Sequence, residues 1–168
     1  MQKKGLDDTT KIILGVAAVI LGTFVIYKIR NRTGGKKGSG KSFRKKLVDI
    51  AEKEHSTWNF GRLKEGASSM YNKLVDYWNN IGWSESRWSP TGTAWSAAFI
   101  SYVMKKANAG NNFKYSSSHS SYIRDAVKNR KQNNSNPFKA YKLNEKKVEV
   151  GDLVCYSRQG GVDYDTTS

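Results

Sequence analysis

One thiol and two imidazoles are all the cysteine and histidine that this 168-residue chain holds: Cys155, His55 and His119. A lone cysteine closes no disulfide within the chain, and with two histidines it falls short of a structural zinc set, so no metal and no other cofactor is expected. Cys155 stands between Val154 and Tyr156 in an apolar stretch, where a thiol behaves as a small buried hydrophobe. His55 follows Glu52 and Glu54 on a polar helix face and reads as solvated. Gly35 to Ser42 (Gly-Lys-Lys-Gly-Ser-Gly-Lys-Ser) fits the phosphate-loop pattern letter for letter. That chemistry also needs a buried strand before the loop and an acidic residue on a second strand to hold magnesium. Only the following helix is there, and a Gly/Ser/Lys linker yields the same letters by composition, so no nucleotide is expected.

The elements that would position reactive groups follow from periodicity. A helix is expected from an N-cap at Ser42, with Phe43, Leu47, Ile50 and Ala51 on one face. A second runs from Lys64 to Ile81, where Ala67, Tyr71, Leu74, Val75 and Trp78 share a side. An aromatic, turn-rich loop from Gly82 to Thr93 opens into an apolar helix over Ala94 to Ala107, and a fourth helix starts in the cluster Ser116 to Ser118. After the polar loop Asn129 to Asn136 the period changes to two, over Phe138 to Leu143, Val148 to Val150 and, past a Gly151-Asp152 turn, Leu153 to Ser157. Helices first and strands after give an α+β class. So few strands make an incomplete sheet, completed by another chain or by residues beyond Ser168.

Ile12 to Tyr27 is an uncharged run between Lys11 and Lys28. At ~1.5 Å per residue it gives roughly 24 Å of helix, which snorkelling lysines can extend across a hydrocarbon layer. The rivals are a buried core helix and a cleaved signal peptide. Apolarity all round counts against the first, and the missing small-x-small site with Asp7 and Asp8 upstream counts against the second. The expected organisation is a short polar N-terminus over 1–11, a transmembrane helix over 12–29, a basic Gly/Ser/Lys linker over 30–41 and a folded domain over 42–168. The net charge of +15 is largely local: nine basic groups and no acidic one lie between Lys28 and Lys46. That tract puts the C-terminal domain on the cytoplasm-facing side at insertion. It also offers contacts to anionic lipid or to phosphates, or serves as a solvated linker. A bilayer is thus an expected partner and nucleic acid is not.

Three ordered blocks carry a family resemblance. They are Trp95-Ser96-Ala97-Ala98-Phe99-Ile100-Ser101-Tyr102-Val103-Met104, then Tyr115-Ser116-Ser117-Ser118-His119-Ser120-Ser121-Tyr122-Ile123, then Val150-Gly151-Asp152-Leu153-Val154-Cys155. Over roughly Lys41 to Arg158 the chain resembles a bacterial and phage domain of unknown function related to the CHAP and NlpC-type amidases, which are papain-like enzymes that cut amide bonds in peptidoglycan. The resemblance implies a papain-like domain with helices first and a small antiparallel sheet after, its C-terminal strands missing.

The resemblance also puts Ser96 at the nucleophile position, where those amidases carry a cysteine. Amides at a helix N-terminus favour a developing anion there, and a serine hydroxyl depends on an adjacent base. The amidases' own histidine would fall after Ser168. His119 is the candidate base if the fourth helix brings its N-terminus to the third, with Asp125 or Asp152 to orient it. The aromatics Trp83, Trp88, Trp95, Tyr115 and Tyr122 flank the blocks and either bind substrate, stacking on sugar rings or stem peptides, or pack the core.

The implied function is a membrane-anchored peptidoglycan hydrolase of amidohydrolase or peptidase type, a lysis or penetration component of a bacteriophage virion. The alternative is a catalytically inactive structural or assembly protein of a virion membrane or bacterial membrane. Peptidoglycan and other virion or membrane proteins are the remaining expected partners.

Overall fold

From Tyr27 to Arg30 the sequence alternates apolar and basic types, as a strand does. The computed structural model of the chain describes residues 26–31, 39–142, 144–156 and 164–167. In it these residues lie in strand β1 (Ile26–Asn31). β1 is the centre of a 3-stranded sheet in the order β2-β1-β3, with β2 (Phe138–Lys142) and β3 (Leu153–Tyr156) antiparallel to it on either side. Ile29 pairs with Ala140 of β2 and with Leu153 of β3.

This overturns the expected fold class. The spanning helix expected over 12–29 gives way at its C-terminal end to β1, and residues 12–25 lie outside the described residues. Among the described residues no helix is long and apolar enough to cross a membrane. Nor is the order helices first and strands after, since the strand that joins β2 to β3 precedes every described helix. The physical reason is the ladder. Two short C-terminal strands leave rows of backbone donors and acceptors that must be paired, and an antiparallel segment more than 100 residues upstream pairs them on both sides.

The helices are α1 (Ser39–Thr57), α2 (Tyr71–Asn79), α3 (Ser96–Lys106) and α4 (His119–Lys131). α1 begins at Ser39, so Ser42 lies within the helix rather than capping it, and the phosphate-loop letters fall partly in α1 and partly, over 35–38, outside the described residues. The helix expected over 64–81 is a 3-10 turn, Ser68–Met70, followed by the shorter α2. Residues Val148 to Val150 form no strand. They lead into a turn held on α1, where Arg44 pairs with Glu149 (2.6 Å) and with the fully buried side chain of Asp152 (3.2 Å). Gly151, at φ +86°, passes so close that a Cβ there would sit 3.0 Å from Arg44 Cβ, which is why the turn takes a glycine.

α3 is apolar almost all round because it is buried on both sides. Ala97, Ile100, Val103 and Met104 join Phe43 and Leu47 of α1, Tyr122, Ala126 and Val127 of α4, and the sheet residues Phe138, Ala140, Leu153 and Cys155. On its other side Ala98 meets an aromatic cluster of Trp58, Met70, Leu74, Tyr77, Trp78 and Trp88. One helix therefore seams two cores, and the orientation of its N-terminus is fixed from both.

Candidate active site

The N-terminus of α3 is built by the loop before it. Ser89 Oγ accepts from Gly92 N at 3.1 Å, and Ser89 N donates to Thr93 Oγ1 at 3.0 Å. The approach is so tight that a Cβ on Gly92 would lie 2.4 Å from Ser89 Oγ. Trp95 comes next and stacks flat on Trp58, centroids 4.7 Å apart. Trp58 is itself anchored: its Nε1 donates to Tyr77 Oη (2.8 Å), and Tyr77 donates to Glu54 Oε2 (2.6 Å). Glu54, expected on a solvated face, is buried and accepts from Lys73 at 2.9 Å. Burial, reinforced by Glu54, pushes the Tyr77 phenol far above its ordinary value, so it remains a neutral donor. Burial works against the Lys73 ammonium, but Glu54 more than offsets it and raises its pKa.

Ser96 is the first residue of α3 and is half-buried. The ladder opens with Phe99 N donating to Trp95 O at 2.9 Å, so the amides of Ser96, Ala97 and Ala98 precede it at the positive end of the helix dipole.

The N-terminus of α4 is carried to the same place by a serine bridge. Ser101, fully buried on α3, donates its hydroxyl to Ser116 O (2.9 Å) and accepts from Ser116 N (3.0 Å). Ser116 Oγ in turn accepts from Ser118 N at 3.0 Å and donates to Ser121 Oγ at 3.1 Å. Pinned in this way, the segment before α4 delivers His119, the first residue of that helix, to Ser96. His119 Nε2 lies 2.7 Å from Ser96 Oγ. Its other ring nitrogen, Nδ1, is in contact with the hydroxyl of Tyr122, one turn along α4.

Asp125 accepts from Asn129 and Asp152 pairs with Arg44, so each carboxylate has a structural partner. Trp88 and Tyr122 are buried, Trp83 stacks on Trp78 at 4.7 Å beneath the Arg87 guanidinium, and the Tyr115 hydroxyl donates to Gly110 O. These aromatics are held mainly by one another and by the core. His55 makes an edge contact with Phe60. Cys155 is buried, and burial pushes its thiol from 9.0 up to about 12, which keeps it protonated. Among the described residues no cluster of three or more His, Cys, Asp or Glu could hold a metal ion.

Glu54, Lys73 and Ser101 are what sequence reasoning missed. Glu54 follows Phe43, Leu47, Ile50 and Ala51 at helical spacing, a signal that its residue type masked, and Ser101 sits in an apolar run with nothing to mark it except that it is polar where its neighbours are not.

Residues 65–166 match the family model described as an uncharacterized protein conserved in bacteria, DUF2272. The chain belongs to the DUF2272 family. The DUF2272 region holds Ser96, Ser101, His119, Tyr122 and the turn to Asp152, while Arg44, Glu54 and Trp58, which brace it, precede the match. No curated protein and no solved structure matches the chain.

Proposed function

We propose that this DUF2272 chain is a serine-dependent amidohydrolase or peptidase acting on the stem peptides of peptidoglycan. The observation that carries the reading is the 2.7 Å contact between Ser96 Oγ and His119 Nε2 at the first turn of α3. A serine hydroxyl is a poor nucleophile until a base within hydrogen-bond reach takes its proton, and an imidazole is the side chain suited to that near neutral pH.

In the proposed reaction Ser96 Oγ bonds to the amide carbon as its proton passes to His119 Nε2. The oxyanion forms in front of the leading amides of α3, which are oriented before the reaction starts. Collapse breaks the C–N bond, and the Nε2 proton leaves with the amine. A water then attacks the ester, giving a proton to Nε2; the acid departs and the proton returns to Ser96 Oγ.

The substrate class rests on the three-block resemblance to CHAP and NlpC-type amidases. A net charge of +15 supports it, because a basic protein is drawn to an anionic polymer such as the wall. The partner this reading requires is the wall rather than a bilayer.

The test is release of new amino groups from purified sacculi by the full chain and by Ser96→Ala and His119→Ala. The expected result is a rate lower by at least ~10²-fold in each variant. Undiminished release by both variants would remove the site. A second reading, a non-catalytic structural or assembly protein, is favoured by the serine standing where the resembled amidases carry a cysteine. Retained binding to sacculi with no turnover in the unsubstituted chain would select it.

A further inference from the structure

We propose that Tyr122 is a positioning residue: its buried hydroxyl oxygen accepts the Nδ1 proton of His119 and so holds the imidazole in the tautomer whose bare Nε2 faces Ser96. The proposal rests on the Ser96–His119 reading above and adds to it the group that orients the base.

A neutral imidazole has one N–H and one bare nitrogen, and only the bare one can take a proton. His119 contacts Ser96 through Nε2 and Tyr122 through Nδ1, so two arrangements satisfy both contacts. In one, Nδ1–H donates to the phenol oxygen and the Ser96 hydroxyl donates to Nε2. In the other, the phenol donates to Nδ1 and Nε2–H donates to Ser96, which leaves no base.

The first arrangement is the one that survives the reaction. Once Nε2 has taken the serine proton, both ring nitrogens are donors, and a phenol oxygen that already accepts from Nδ1 needs no rearrangement. In the second, the phenol hydrogen sits on Nδ1 from the start and would have to leave it before the ring could take a second proton.

The surroundings suit a fixed acceptor. Tyr122 is 2% exposed, its ring lies 5.3 Å from that of Phe113, and it sits three residues after His119 on the same helix face. Burial, reinforced by nearby Cys155, holds the phenol neutral well above the ordinary tyrosine value. Tyr122 therefore keeps its own proton throughout. What it gives the ring is a hydrogen bond to a neutral hydroxyl. The carboxylates of Asp125 and Asp152 are bonded to Asn129 and Arg44.

The deciding experiment is two-bond ¹⁵N–¹H correlation of the full chain with labelled histidine, near neutral pH, on the unsubstituted protein and on Tyr122→Phe, with His55→Gln to assign the two rings. The expected result is a His119 ring protonated at Nδ1 in the unsubstituted chain, with the Nε2-protonated form gaining population in Tyr122→Phe. On sacculi, Tyr122→Phe is expected to lose about 10- to 100-fold in kcat with KM unchanged. A His119 protonated at Nε2 in the unsubstituted chain overturns the proposal, with no variant needed. The same tautomer in both proteins overturns it too. The spectrum needs no turnover, so an inactive chain with the expected tautomers sinks the hydrolase and not the role of Tyr122. Turnover with unshifted tautomers does the reverse.

Discussion

Ser101→Ala is the perturbation that most sharply tests how the site is assembled. The side chain is fully buried, and its one hydroxyl serves both backbone groups of Ser116, at 2.9 Å to the carbonyl and 3.0 Å from the amide. Alanine keeps the helix and loses almost no apolar contact, so the cost is that of two polar groups stripped of their partner. A buried donor or acceptor left unmade costs about 1–3 kcal/mol, and partial relaxation of the segment toward water brings the pair to about 2–4 kcal/mol. For a chain of this size that corresponds to a fall in Tm of roughly 6–12 °C. Urea denaturation should report a lower midpoint with an unchanged slope, since the same surface is exposed on unfolding.

The consequence reaches the chemistry. Ser116 carries the turn that delivers His119, and a displacement of about 1 Å at a reacting group can cost ~10²-fold in rate. Hydrolysis should therefore fall even under conditions where Ser101→Ala is fully folded. A loss of stability under ~0.5 kcal/mol, with unaltered rate, would show that this bridge does not hold the two helix N-termini together.

Three further perturbations test the surroundings. Gly92→Ala puts a Cβ 2.4 Å from Ser89 Oγ, so the Ser89 hydroxyl must rotate away and give up its bond from Gly92 N; a cost of about 1 kcal/mol in thermal denaturation is expected, and wild-type stability would show that bond to be incidental. Glu54→Leu leaves the Lys73 ammonium and the Tyr77 hydroxyl without their buried acceptor, at about 3 kcal/mol, whereas Glu54→Gln still offers Tyr77 an oxygen and should cost less; equal losses in urea would show the network to be incidental. Cys155 and Tyr122 both have pKa values raised by burial, so the fold binds protons that the unfolded chain has shed. Their contribution is fully present below the ordinary thiol value of 9.0 and is lost as pH rises toward about 12. The urea midpoint should fall over that window, and iodoacetamide near neutral pH should modify Cys155 only in denaturant; equally fast labelling of the native chain would contradict its burial.

Much of the site was legible as positions and little of it as contacts. Ser96 and His119 are singled out by the three-block resemblance, near the starts of two expected helices, one after a Pro-Thr-Gly-Thr turn and one in a serine cluster. Their meeting depends on Ser101, whose bridge to Ser116 spans two elements and leaves no periodic signal. The aromatics were legible as a set, but Trp95 spends its face on Trp58, and Tyr122 turns its hydroxyl to His119 rather than outward. Glu54 continues the face of Phe43, Leu47, Ile50 and Ala51, so its spacing pointed inward while its residue type pointed to water, and only Lys73 and Tyr77 from α2 make its burial tolerable. The sheet misled for a different reason. An uncharged run ending in Tyr27 reads as one long helix, while β1 is specified by partners at 138–142 and 153–156 that no local pattern connects to it. Val148 to Val150 has strand composition, but Arg44 draws Glu149 and Asp152 into a turn.

The most direct measurement of the Ser96–His119 claim is covalent. The full chain is treated with a fluorophosphonate, which phosphonylates only a serine activated by a base, and the adduct is located by peptide mass. One adduct is expected, on Ser96, that disappears in Ser96→Ala and forms at least ~10²-fold more slowly in His119→Ala. An unmodified chain, or labelling that persists undiminished when Ser96 is replaced, would contradict it.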